Sequence, residues 1–302
     1  MRLEAADGAA GYGEGAPIPW FGTESVDEAE AALRELGGRV DATRLAAVPG
    51  RLPCLKNALA AAQVALPGTP AHPSLGVAAL LPAGRAALEL VGPKAEAGFR
   101  VFKWKVGVTD AADELALLDD LCAALPDGAK LRLDANGAWD RRVAERWLGR
   151  CVERPVEFVE QPVAAGARGA DDLLLGLAHD FPTPLALDES LVSDGDVEQW
   201  LGAGWPGVFV VKPSLLGDPV AALARLAAAR AAVVFSSALE TAVGAQAALA
   251  AAFTWPGERR ALGFGVWPLF ADARCDGPQA MPFLHWEDVA RIDPEAVWNA
   301  LN

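Results

Sequence analysis

The chain has 302 residues, 52% hydrophobic and 22% charged. That is enough apolar material for one large domain or a barrel with a small partner, and too much for a disordered chain. Its net charge of −14, from 26 basic and 40 acidic residues, disfavours a nucleic-acid partner, since phosphate contacts need a basic face.

A small anionic carboxylate is compatible with that charge if a local lysine cluster receives it. No apolar run reaches the ~18 residues of a membrane span, so no membrane partner is expected. Met1-Arg2-Leu3-Glu4 carries no apolar signal region. Cys54, Cys122, Cys151 and Cys275 are scattered without a CxxC pair. Reduced structural thiols and a cytoplasmic setting are therefore expected. The pattern does not specify an oligomeric state.

In chain order, residues 3–15 read as a strand and turn. Gly11-Tyr12-Gly13-Glu14-Gly15 has the look of a phosphate loop, but Pro17 and Pro19 follow where a helix should start. Residues 25–36 form a capped helix stopped by Gly37-Gly38, and 52–66 a second helix ended by Pro67-Gly68. Residues 1–72 thus make a small α+β region. From Ser74 onward, short apolar runs alternate with amphipathic stretches. Strands are expected at 76–81, 99–106, 130–134, 157–160, 185–187, 208–211, 233–235 and 261–264. Thr109, Ser193 and Asp218 serve as helix N-caps, and Pro219 fits the first helical position. Repeated strand–helix order predicts an α/β fold, a (β/α)7β-type modified TIM barrel over residues 73–284. Residues 285–302 are expected to return to the first region.

Five charged residues fall at strand ends in this scheme: Lys105, Asp134, Glu160, Asp188 and Lys212. Successive separations of 29, 26, 28 and 24 residues each leave room for a loop, a helix and the next strand. Strand alternation puts Lys103 and Lys105 on the face opposite Phe102 and Trp104, and Arg132 with Asp134 opposite Leu131 and Leu133. In a barrel the apolar face meets the helices and the charged face points inward. Charges inside a barrel are costly unless paired or metal-bound. At the C-terminal strand ends they read as catalytic. Asp134, Glu160 and Asp188 form an oxygen-only donor set suited to Mg2+, with Mn2+ as the alternative. Lys105 and Lys212 flank that set with amines that can face a substrate across the barrel mouth, Lys105 as the base with Lys103 beside it. Candidate substrate contacts are Asn136, Ser236, Ser237 and Gly263. Ser236, Ser237 and Glu240 could equally cap the following helix. His72, His179 and His285 lack ligand spacing.

The set Lys103-x-Lys105, Asp134-Ala-Asn136, Glu160-Gln-Pro162, Asp188-Glu189 and Val211-Lys212-Pro213 resembles the enolase superfamily, in its muconate-lactonising subgroup. Trp20-Phe21-Gly22-Thr23-Glu24, Ala79-Leu80-Leu81-Pro82-Ala83-Gly84 and Phe102-Lys103-Trp104-Lys105-Val106-Gly107 are similar to segments of the o-succinylbenzoate synthase family. The resemblance implies a capping domain beside the barrel and Mg2+ on Asp134, Glu160 and Asp188. It implies dehydration of a cyclohexadiene carboxylate in quinone biosynthesis, with Lys105 as base and then acid, and Lys212 as a cation over the ring. Racemases, dipeptide epimerases and muconate cycloisomerases share these motifs, but Gly263-Phe264-Gly265 stands where epimerases carry Asp-x-Asp. A shortened, non-catalytic homologue is the reading from another class. Members of this family also carry a strand and a closing loop before the segment matching Arg2-Leu3-Glu4, which this chain is expected to lack.

Overall fold

The computed structural model describes residues 1–279 and 281–301. Its strands are β1 (Arg2–Glu4), β2 (Ala10–Tyr12), β3 (Ser74–Gly76), β4 (Ala79–Leu81), β5 (Val101–Lys105), β6 (Lys130–Asp134), β7 (Val156–Glu160), β8 (Leu185–Leu187), β9 (Val208–Val211), β10 (Ala232–Phe235) and β11 (Phe283–His285).

The N-terminal region opens with the antiparallel hairpin β1–β2. Gly11 and Gly13 are two residues apart and so share a face. A Cβ at either would overlap the carbonyl oxygen of Ala62 or Ala58, so these glycines let β2 lie directly on the helix Pro53–Ala61. The glycine run is a packing device. The helix Val26–Leu36 begins with a complete capping box: Glu28 N–H donates to Ser25 Oγ, and Ser25 N–H to the Glu28 carboxylate. The helix expected to reach residue 66 stops at Ala61. Gln63 Nε2 takes the carbonyl of Leu59 at 2.7 Å, and Val64 beyond it is exposed, with no packing face to continue for. A short helix, Ala42–Ala46, capped by Asp41, was not legible in the pattern.

Strands β4 to β10 form one parallel sheet in sequence order. The segment expected as the eighth strand makes only isolated bridges, yet it bonds both sheet edges. Leu262 N–H donates to Gly76 O at 2.8 Å and Ala78 N–H to Leu262 O at 2.9 Å; on the other side Gly263 N–H donates to Phe235 O at 2.8 Å. This closes the barrel. Gly263 sits tightly on Ser236, whose Oγ would lie 2.6 Å from an added Cβ.

The alternation read from sequence holds. Phe102, Trp104, Leu131 and Leu133 are buried under the helices. The barrel interior is a separate cluster of Phe158, Ala186, Val208, Val210 and Val234. Arg132 points inward with them. Its Nε donates to Glu157 at 2.7 Å, one terminal nitrogen donates to Ala261 O at 2.7 Å, and its guanidinium lies 4.8 Å from the Phe158 ring centroid. Pairing on this scale is what makes a buried guanidinium tolerable.

Ser193 and Asp218 cap their helices as expected, with Pro219 in the first turn. Asp110 rather than Thr109 caps the helix Ala111–Ala124, because Asp110 Oδ1 accepts from Ala112 N–H. The C-terminal segment is held by the barrel. Gln246 Nε2 donates to Val289 O at 3.0 Å and Ile292 O at 3.1 Å, and Val297 clusters with Ala242 and Cys275. These contacts fasten residues 285–301 to the last barrel helix, Ala242–Thr254, once β11 has paired with β3.

The N-terminal region docks on loops that follow strand ends. Asn57 Nδ2 donates to Pro213 O and Leu216 O after β9. Glu14 accepts from the N–H groups of Thr241 and Gly244, at the start of the last barrel helix. Ile18, Phe21 and Cys54 pack with Val192, Leu215 and Ala238 from the loops after β8, β9 and β10. The N-terminal region is thereby placed beside the C-terminal mouth of the barrel.

Candidate active site at the barrel mouth

Register places the charged residues on one rim. Lys105 pairs with Asp134, and Asp134 with Glu160, across β5, β6 and β7. Asp188 follows the last residue of β8 and Lys212 follows β9. The carboxylates of Asp134, Glu160 and Asp188 belong to residues only 2%, 2% and 5% exposed. Lys105 and Lys212 approach them from the two flanking strands.

Lys103 Nζ lies 2.9 Å from Asp134 Oδ2 and 2.7 Å from Glu160 Oε1. Lys212 pairs with Asp188. Lys105, with a side chain 55% exposed, donates to Asn136 Oδ1 at 2.6 Å and stands 3.8 Å from Asp134. Asn136 in turn donates to Glu189 at 3.0 Å, which links Lys105 to the strand end that carries Asp188. Lys212 Nζ also sits 4.8 Å from the Phe21 ring centroid, so the N-terminal region reaches the site.

The electrostatics follow from this pairing. Burial pushes the Asp134 carboxyl up, but Lys103 and then Lys105 outweigh it and hold it below the usual range. Burial pushes the Lys103 ammonium down, while Glu160 and Asp134 raise it well above normal. Burial dominates at Lys212, whose ammonium is lowered to about 7 against the attraction of Glu160. Glu189 holds its proton more tightly than usual, first from burial and then from the fields of Asp134 and Glu160.

Asp134, Glu160 and Asp188 supply the hard oxygen donors that a divalent cation takes, with the amines of Lys103 and Lys212 standing among them. Among the described residues no three acidic, imidazole or thiol side chains stand close enough together to share one ion. Lys103 lies between Asp134 and Glu160, and Lys212 lies on Asp188, where carboxylates alone would repel.

The other candidates divide. Ser236 Oγ donates to Gly263 O at 3.2 Å, and Gly263 makes room for that serine. Ser237 Oγ donates to Glu240 at 2.9 Å and accepts from Leu239 N–H, a turn-forming role. Thr241 caps the following helix.

Two residues escaped sequence reasoning. Leu80 pairs with Lys103 and so shares its inward face; it is exposed toward the open mouth. Strand register could have revealed it. Gln161, which stands in the Glu160-Gln-Pro162 motif, is fully buried at a φ of 37°. Its Oε1 accepts from Asp188 N–H at 3.0 Å and Ser190 N–H at 3.1 Å, and its Nε2 donates to Val163 O and Ser190 Oγ. It ties the Glu160 strand to the Asp188 turn.

This geometry has relatives. The o-succinylbenzoate synthase of Thermosynechococcus vestitus is 42% identical over 272 residues, covering 88% of this chain and 83% of that protein. Muconate cycloisomerase 1 of Rhodococcus opacus is 30% identical, covering 72% of this chain and 65% of that protein. The crystal structure of o-succinylbenzoate synthase from Thermosynechococcus elongatus BP-1, complexed with Mg in its active site, superposes with a TM-score of 0.82 at 38% identity. That superposition covers 99% of this chain and 90% of the other. The family model described as enolase C-terminal domain-like matches residues 85–281. Carboxylates on three neighbouring barrel strands, flanked by lysines, therefore sit in a chain that belongs to the enolase C-terminal domain-like family.

Proposed function

We propose that this chain is an o-succinylbenzoate synthase, a Mg2+-dependent hydro-lyase. It would convert 2-succinyl-6-hydroxy-2,4-cyclohexadiene-1-carboxylate to o-succinylbenzoate and water, as a cytoplasmic step of menaquinone or phylloquinone biosynthesis. Residues 1–72 would act as the capping domain and 73–284 as the catalytic barrel. The observation that carries this reading is the placement of Lys105 and Lys212 on opposite flanks of the three carboxylate-bearing strands. It is supported by the 42% identity to the T. vestitus enzyme.

Asp134, Glu160 and Asp188 would hold the ion. When bound, Mg2+ supplies positive charge to the substrate carboxylate as negative charge develops there. Lys105, the more exposed amine, removes the proton from the carbon bearing the carboxylate. The resulting ammonium gives that proton to the departing hydroxyl, so one C–H and one C–O bond break and water leaves. Asn136 holds Lys105 Nζ on its side of the rim during both transfers. Lys212 stays on the opposite flank; its contact with Phe21 supports a cation placed against a π face. The ring becomes aromatic, which makes the chemical demand modest.

The test is turnover of the cyclohexadiene substrate by purified protein with Mg2+, followed by its ultraviolet absorbance. Lys105→Ala should reduce kcat by roughly 10²–10⁴-fold, and chelation should abolish turnover. A Lys105→Ala variant as fast as wild type would refute the mechanism. Exchange of the α-proton of N-succinyl amino acids in D2O without dehydration would replace it with a racemase.

A further inference from the structure

One buried carboxylate outside the barrel mouth has no part in this chemistry. Glu114 lies in the first turn of the helix Ala111–Ala124 and is 1% exposed. Its Oε2 accepts from Gly107 N–H at 2.7 Å, and its Oε1 accepts from Val108 and Thr109 N–H, each at 3.0 Å. All three donors belong to the loop that begins two residues after Lys105. Helix initiation does not require this contact, because Asp110 already caps the helix.

The same loop is held from a second side. Gly107 has a φ of 78°, and a Cβ there would stand 2.7 Å from Ala138 Cβ and 3.1 Å from Trp139 Nε1. Ala138 and Trp139 follow β6, in the loop that carries Asn136, the acceptor of Lys105. Val106 N–H donates to Asp134 O at 2.9 Å. The backbone leaving Lys105 is therefore pinned to the Asp134–Trp139 segment on one side and to a buried carboxylate on the other. Charge-assisted bonds to backbone N–H are the strong kind, and three on one group fix a loop without any side chain of that loop taking part.

We propose that Glu114 is a positioning residue for proton transfer. It clamps the Gly107–Thr109 backbone so that Lys105 Nζ stays against Asn136 and the carboxylate rim. This rests on Lys105 being the base of the proposed reaction.

The test uses Glu114→Gln in the full chain, with Glu114→Asp and Lys105→Ala in parallel. Gln keeps one acceptor oxygen but turns an N–H toward the loop's donors. It should lower kcat by about 10- to 100-fold while KM stays within about twofold. Amide exchange at Gly107, Val108 and Thr109 should accelerate by roughly tenfold or more, with the Ala111–Ala124 amides unchanged. Glu114→Asp, which keeps the charge, should recover part of kcat. Wild-type kcat in Glu114→Gln beside an inactive Lys105→Ala would overturn the positioning role alone. So would a loss of kcat accompanied by lost helix protection and no recovery in Asp, because the role would then be structural. Wild-type turnover in Lys105→Ala would overturn the proposed base and this inference together, whereas faster exchange at the three amides reads the clamp independently of activity.

Discussion

Replacing Gln161 with leucine should destabilise the chain far more than its uncharged character suggests. The side chain is fully buried and makes four hydrogen bonds, two through each end of its amide. Leucine fills a similar volume but pairs with none of them. Ser190 Oγ can turn to another partner, but the N–H groups of Asp188 and Ser190 lose their acceptor. Each buried donor left unpaired costs about 1–3 kcal/mol, so the two together cost about 2–6 kcal/mol. Against a total stability of about 5–15 kcal/mol, this is a large fraction. Thermal unfolding by circular dichroism should show a fall of about 3–10 °C. Metal affinity should weaken about 10- to 100-fold, because the lost bonds orient the Asp188 turn. A variant within about 0.5 kcal/mol of wild type, measured by urea unfolding, would refute the view that Gln161 supports the rim.

Glu240 should make stability fall as pH rises from 4.5 to about 7. Burial raises its carboxyl from 4.5 to about 7, with Glu14 adding to the effect against the bonds from Ser237 and Ala238. Between those values the folded state keeps a proton that the unfolded state has lost, so stability present below pH 4.5 declines until about 7. The decline should be roughly 3 kcal/mol and should vanish in Glu240→Gln; parallel stability–pH curves for the two proteins would contradict it. The thiols should be unreactive in the native state. Burial pushes Cys54 and Cys151 up to about 12 and Cys122 to about 11, and it raises Cys275 as well. A disulfide reagent at pH 8 should label none of the four within minutes and all of them after unfolding; rapid native labelling of any one would count against this.

Much of the barrel and its rim was legible without coordinates. Alternation along a strand is a local property, so Phe102 and Trp104 could be assigned outward and Lys103 and Lys105 inward from the residue order alone. The Ser25, Ser193 and Asp218 caps are local too, since each bonds a backbone N–H within its own first turn. The spacing of Lys105, Asp134, Glu160, Asp188 and Lys212 follows from one strand–helix unit per step.

What the sequence could not decide was which distant group each side chain meets. Glu14 bonds Thr241 across 227 positions, and Gln161 bonds Asp188 across 27. Neither spacing has a period to betray it. The eighth strand was expected from an apolar run, and the segment makes only isolated bridges, Val77 to Leu262 and Ser236 to Gly263. The C-terminal segment meets the last barrel helix where Gln246 donates to Val289 O and Ile292 O, across 43 and 46 positions. By itself the sequence determined the sheet, its inward face and the charged rim, since alternation is local and the rim follows from one strand–helix unit per step. Only the tertiary structure decided how Lys103 and Lys212 share the carboxylates, and that Gln161 bonds the Asp188 turn. Those pairings rest on burial and on contacts between segments that chain order does not bring together.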